Sequence, residues 1–275
     1  MGAVSAKDLL TSNADTKIND LMETNIIKVG THEDKENVAK LFRKYDMIAI
    51  PVVDCEDCIV GIVTVDDAMD VMTSEVTEDI TKMAAINPSQ ESYFKTSVWK
   101  HAKNRVVWLL VLMISATVTG FIITYYENAI TTIPLLASFI PMLMDTGGNC
   151  GSQSSTLVIR GLAVDEIKFR DIFRVMWKEF RVSILVSSIL AIANGVRIYI
   201  MYFSSEPHAL WIAIAVSLSI ICIVVLSNLF GCSLPLLASK IKLDPALLAA
   251  PLITTIIDTF AVLIFFEIAS HMLPL

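Results

Sequence analysis

One carboxylate lies where a carboxylate is costly. Asp258 falls inside Pro251-Leu-Ile-Thr-Thr-Ile-Ile-Asp-Thr-Phe260, near the centre of an apolar segment running from about Ala246 to Ile268. A charge at mid-bilayer costs roughly 2.5–3.5 kcal/mol on insertion scales, and residues that bear it usually face an ion or substrate path. The alternative is a protonated acid hydrogen-bonded to Thr254 or Thr255. A second unusual stretch is Pro141-Met-Leu-Met-Asp-Thr-Gly-Gly-Asn-Cys-Gly-Ser-Gln153, which interrupts another apolar run with Gly147, Gly148 and Gly151 and the polar groups of Thr146, Asn149, Ser152 and Gln153. Small residues there either let helices approach closely or let a helix open onto a polar, water-lined passage, since freed backbone groups are tolerated only against protein or water. Asp145 adjoins this stretch, nearer a membrane face.

The N-terminal part carries a different chemistry. Residues 20–91 hold 16 acids against 6 bases, with Asp67, Asp70, Glu75, Glu78 and Asp79 close in sequence. Acid runs are usually solvated faces, yet so acidic a surface repels itself unless cations sit between the carboxylates, and hard divalent ions with oxygen ligands would suit it. Cys55-x-x-Cys58 lacks the second pair that a structural zinc site needs and reads as a hairpin turn. The four histidines (His32, His101, His208, His271) are scattered, which leaves no His-Glu-x-x-His set for an intramembrane enzyme.

These residues must be positioned by two kinds of structure. At 55% hydrophobic residues and a mean hydropathy of +0.64, the chain is that of a membrane protein. Five cysteines, an odd number, make no disulfide framework, and Met1 to Leu21 has no apolar core of a signal peptide. Residues 18–73 read as a compact α/β unit: a helix with Val38, Leu41, Phe42 and Tyr45 on one face and Thr31 as its cap, a strand at Ile48–Val53, another at Ile59–Thr64, and a helix from Val65 with Asp66 and Asp67 in its first turn. Gly2-Ala-Val-Ser-Ala-Lys-Asp-Leu9 repeats the pattern of Gly61-Ile-Val-Thr-Val-Asp-Asp-Ala68, so Ser5 and Asp8 match Thr64 and Asp67. Helices joined at Asn87-Pro88 follow, and Tyr93 to Arg105 fits an amphipathic helix on the membrane surface.

Five apolar segments come next: Val106–Thr124, about Ala129–Ile159, Val182–Phe203, Leu210–Ala238 and about Ala246–Ile268. The loop after the second holds Arg160, Lys168, Arg170, Arg174, Lys178 and Arg181, and that after the fourth holds Lys240 and Lys242, whereas the opposite loops have no Lys or Arg. The positive-inside rule then places the N-terminus in the cytosol and the C-terminus outside. Arg197, a few residues from the outer loop, is expected to snorkel to the interface.

Residues 18–73 resemble a CBS domain, with 1–17 matching only the last strand and helix of another. In CBS domains the Thr64 and Asp67 positions contact the ribose of an adenine nucleotide, so ATP is an implied cofactor, while the residue types alone equally make a helix cap. The stretches Pro141–Gln153, Leu234–Ala246 and Pro251–Asp258, in this order after a CBS module, resemble the MgtE family of magnesium channels. The resemblance implies an all-α polytopic membrane domain of five transmembrane helices over 106–275, N-in and C-out, preceded by the CBS module and by acidic, amphipathic connecting helices over 74–105. It implies a homodimer in the cell membrane with a pore on its two-fold axis and Mg2+ bound at Asp258, lined by Gly147, Gly148, Asn149, Gly151, Thr254 and Thr255. Cytosolic Mg2+ would close it through Glu36, Asp46, Asp67, Asp70, Glu75, Glu78, Asp79 and Asp244. The family's N-terminal acidic helical domain and most of the first CBS module have no counterpart here. The expected function is therefore Mg2+ influx by a non-enzyme whose partners are the lipid bilayer and divalent cations, with no nucleic acid; the competing class is a nontransporting CBS-containing membrane scaffold or sensor.

Overall fold

A computed structural model describes residues 2–89, 91–248 and 250–274. The chain forms two compact units, Met1–Thr77 and Glu78–Leu275.

The first unit begins with short helices α1 (Ala6–Thr11) and α2 (Ile18–Leu21), then strand β1 (Val29–Gly30), helix α3 (Lys35–Tyr45), strands β2 (Ala49–Val53) and β3 (Ile59–Thr64), and the first part of helix α4 (Val65–Met83), whose residues from Glu78 belong to the second unit. The sheet order is β1-β2-β3, with β1 parallel to β2 and β2 antiparallel to β3. Ile50 of β2 is fully buried and meets Val29 of β1, Val38 and Phe42 of α3 and Ala68 of α4 in the core of the unit, and an irregularity in the β2–β3 register between Val52 and Val53 leaves Val53 buried as well. The cap of α3 is Asp34, whose carboxylate accepts the Glu36 amide, rather than Thr31. Thr31 instead donates its backbone N–H to Val53 and extends the β1–β2 ladder. Asp46 stops α3 in the left-handed conformation. The β2–β3 turn is organised by Asp54, which accepts the amides of Glu56 and Cys58, and both Cys55 and Cys58 are free.

The sequence places a surface helix at Tyr93–Arg105, and here the structure differs. Ser97 caps a single helix, α5 (Val98–Tyr125), so the basic residues from Lys100 to Arg105 form the first turns of a span. The Ser97 hydroxyl takes the Lys100 amide and lets the helix start eight residues before the apolar run.

After α5 come α6 (Glu127–Thr132), a 3-10 turn over Pro134–Phe139, α7 (Ile140–Ala163), α8 (Ile172–Tyr202), α9 (Ala209–Lys240), a 3-10 turn over Pro245–Leu248, and α10 (Ala250–Met272). Four helical stretches among the described residues are both long and apolar enough to cross a membrane: those containing α5, α8, α9 and α10. The expected second span is not among them. Its N-terminal third breaks into α6 and the 3-10 turn, because Pro134 removes an amide. Its remainder, α7, has 24 residues, or about 36 Å of helix, but its glycines and polar side chains make it too polar by composition.

α9 lies at the centre of this unit and packs against α7, α8 and α10. Its buried face includes Ile212, Val216, Ile220, Ile223 and Val224, which meet Phe265 and Phe266 of α10 and Leu143 of α7. α5 packs chiefly along α10, where Thr119 and Thr259 share a 2.8 Å hydrogen bond.

Candidate functional site

Glycines bring α7 into register with its neighbours. α7 stays helical through Gly147, Gly148 and Gly151, so of the two readings of this stretch the open helix is not the one found, and all three are buried. A Cβ on Gly147 would meet Ile257 at 2.8 Å and Ile223 at 2.7 Å, one on Gly148 would meet Thr254 at 3.0 Å, and one on Gly151 would meet Ile253 at 2.9 Å. Close helix packing is thus what these glycines provide. Gly231 of α9, which the sequence reading passed over, completes the contact: a Cβ there would lie 2.3 Å from the carbonyl oxygen of Gly151.

The register is antiparallel, since rising numbers on α7 (147, 148, 151) meet falling numbers on α10 (257, 254, 253). It brings Asp145 of α7 close enough to Asp258 of α10 for the two carboxylates to repel. Asp258 is half-buried, eight residues into α10. It makes no hydrogen bond or ion pair with the described residues. The threonines suggested as donors are engaged elsewhere, because Thr254 and Thr255 both donate to the carbonyl of Pro251, at 3.0 and 2.8 Å. An acid stabilised by threonine is therefore not what the structure contains.

The other face of α7 is polar and open. Asp145, Asn149, Gln153 and Thr156 recur at intervals of three and four and are all exposed. Asn149, Ser152, Gln153 and Thr156, with Leu157, line an open groove of about 590 Å³. Of the sequence-predicted pore residues, Asn149 lies on this face, while the three glycines lie on the packed one. Asp145, Gln153 and Thr156 were not singled out as lining residues, although their spacing from Asn149 was the available signal.

The expected regulatory acids divide between the units. In the first, Glu36 pairs with Lys40 at 2.7 Å and Glu75 with Lys35 at 2.9 Å. Asp67 accepts the Thr64 hydroxyl at 2.7 Å, and Ser5 and Asp8 repeat that bond at the same distance. At both positions the hydroxyl also faces the amide three residues on, as a helix cap does. Asp46 ends α3, and Asp70 is exposed on α4. In the second unit Lys82 bridges Glu78 and Asp244, 2.6 Å from each. Burial of the Lys82 ammonium would lower its pKa, but the two carboxylates outweigh burial and raise it well above the ordinary 10.5. Asp79 lies one residue beyond Glu78 on the same helix. Among the described residues, no three His, Cys, Asp or Glu side chains gather into a site able to hold a metal ion within one chain.

Arg197, on α8, hydrogen-bonds the side-chain oxygen of Asn194 at 2.6 Å and the sulfur of Met142 at 3.1 Å. It remains exposed, as a snorkelling side chain would.

Comparison with known proteins finds two families. That of the divalent cation transporter MgtE matches residues 140–268, and that of the CBS domain matches residues 18–74. The magnesium transporter MgtE of Bacillus subtilis is 37% identical over 270 residues, 98% of this chain and 58% of that protein. The magnesium transporter MgtE of Thermus thermophilus is 36% identical over 272 residues, 99% of this chain and 59% of that protein. The chain thus spans less than two thirds of the length of the curated relatives it matches. A crystal structure of the soluble part of a magnesium transporter is 43% identical, with a TM-score of 0.26, over 27% of this chain and 29% of that one.

Proposed function

We propose, from the match of residues 140–268 to the MgtE transporter family and the likeness to MgtE relatives, that this chain belongs to the MgtE family and that two copies of it enclose a membrane pathway for hydrated Mg2+. The observation that carries the proposal is Asp258, a half-buried carboxylate within an apolar helix, without a protein partner among the described residues and beside a second carboxylate, Asp145. Two neighbouring acids with no donor call for a cation.

A second copy supplies what one chain lacks. The polar face of α7 is unsuited to acyl chains, and a two-fold axis beside it covers the face with its own equivalent, the commonest form of closed assembly. Two Asp258 carboxylates then give a countercharge of −2, with the Asp145 pair alongside and Asn149 and Gln153 offering oxygens further along α7. Magnesium gives up its water reluctantly, so a wide ring of oxygens and a balancing charge suit it better than a tight cage. Thr254 and Thr255 contribute to this wall through the first turns of α10, and the glycines contribute by setting how close α7 and α10 lie. Five crossings, with α7 as the polar one, put the N-terminus in the cytosol and the C-terminus outside, in the cell membrane.

Closure by cytosolic Mg2+ is the regulatory part of the proposal. It assigns the acids of α4 and Asp244 to a sensor that competes with lysines for its ligands.

The test is Mg2+ influx into vesicles containing the purified chain, read with a trapped magnesium-sensitive dye, together with disulfide formation in Asn149→Cys. Influx and covalent dimers are the expected results. Dye signals equal to those of empty vesicles would reduce the chain to a nontransporting scaffold or sensor, and a thiol that never pairs between copies would remove the two-fold axis from beside α7.

A further inference from the structure

A cavity of about 350 Å³ lies between α7, α8 and α9, at the end of α7 that leads into the loop before α8. Four charged side chains surround it: Arg160 at the end of α7, Glu166 in the loop, and Lys178 and Glu179 on α8. None of the four makes a side-chain hydrogen bond or ion pair with the described residues. Asn228 of α9, only 6% exposed, also lines the cavity, and its side-chain oxygen has no partner among the described residues. On the α8 side the wall becomes apolar at Val182 and Val186, both of which are exposed on the outside of the bundle.

Two positive and two negative groups, with Arg160, Glu166 and Lys178 exposed and Glu179 half-buried, line one cavity without a direct ion pair between them, an arrangement that suits a ligand carrying both signs. The apolar exit along Val182 and Val186 adds a requirement for hydrocarbon. The depth fits as well, because the charges cluster where the spans begin, at the level of lipid headgroups. We propose that this cavity is a headgroup site for a phospholipid bearing a primary ammonium. Its phosphate lies between Arg160, whose guanidinium fork suits phosphate oxygens, and Lys178. Its ammonium donates to the carboxylates of Glu166 and Glu179, and its acyl chains run along Val182 and Val186. A soluble zwitterion would leave the apolar exit unused, and phosphatidylglycerol would offer the two glutamates hydroxyls but no cation. The bound lipid would tie α8 to the end of α7, the helix with the polar face. This inference does not depend on magnesium transport.

The test uses the full chain in detergent micelles, offered equal amounts of phosphatidylethanolamine, phosphatidylcholine and phosphatidylglycerol, with retained lipid counted by native mass spectrometry. Phosphatidylethanolamine should be retained over phosphatidylcholine by about fivefold, since the quaternary ammonium has no N–H to donate. Glu166→Gln with Glu179→Gln should erase that ratio, and Arg160→Gln with Lys178→Gln should weaken retention of all three lipids. Because the readout is a ratio within one folded sample, a variant of poor yield still decides the matter. The proposal is overturned by equal retention of the two zwitterionic lipids, by an unchanged ratio in the double glutamine variant, or by displacement of the lipid with inorganic phosphate, which would make this a site for the free anion.

Discussion

Replacing Asp258 with Asn should separate transport from stability, moving them in opposite directions. The variant keeps the shape of the side chain and removes its charge. In the wild type that charge is half-buried, without a donor among the described residues, and repelled by Asp145. Removing it relieves part of the roughly 2.5–3.5 kcal/mol that an acid costs at mid-bilayer, so the variant should unfold at the same temperature or several degrees higher. Transport should fall sharply. A divalent ion about 5 Å from a carboxylate, with one water layer between, gains on the order of 2 kcal/mol at the permittivity of water and about 7 kcal/mol at an effective value near 20. Losing even the smaller amount from each copy lowers ion occupancy by more than about tenfold. The assay is magnesium-dye influx in vesicles, paired with thermal unfolding of the same preparation. Normal influx would refute the pore role of Asp258. Influx and thermal stability lost together would show that the carboxylate is structural, and the reasoning from its missing partner would fail.

Asp145→Asn should weaken influx by less than Asp258→Asn and should abolish any further gain in stability when the two are combined, because they relieve the same repulsion; unfolding temperatures of the single and double variants would reveal this coupling. Gly231→Ala forces a Cβ to within 2.3 Å of the Gly151 carbonyl oxygen and should destabilise the chain by about 1–3 kcal/mol, and an unchanged melting temperature would show that α9 and α7 approach less closely than described. Lys82→Met leaves Glu78 and Asp244 without their shared cation and should cost about 1–2 kcal/mol, recovered in part by millimolar Mg2+ binding in its place; scanning fluorimetry that finds no greater magnesium effect on the variant than on the wild type would remove these acids from the sensor. The Lys82 contribution has a definite sign with pH. Its folded pKa is raised above 10.5, so its stabilisation is complete below that value and is lost only as pH rises through the higher folded value.

Much of this protein could be read directly from the chain. Hydropathy located α5, α8, α9 and α10, because a run of apolar residues in water-free surroundings must be helical to satisfy its own backbone. Short apolar runs located the strands of the small sheet and helical spacing located the helix α3 beside it, because burial of one helix face fixes its period. The cost of a charge in lipid singled out Asp258 without any knowledge of its neighbours. Other features belonged to the tertiary structure alone. Whether the glycines of α7 open a helix or pack one depends on what lies opposite, and Ile223, Ile253, Thr254 and Ile257 come from segments about 70 to 110 residues away. Asp145 gained its meaning only when antiparallel packing set it beside Asp258, since spacing along one helix cannot report depth along another. The threonines next to Asp258 were plausible donors until the carbonyl of Pro251, one turn back, claimed both hydroxyls. Local patterns determine which segments form and which face is costly to expose, whereas the pairing of distant faces, on which the ion path depends, is decided by shape and contact in three dimensions.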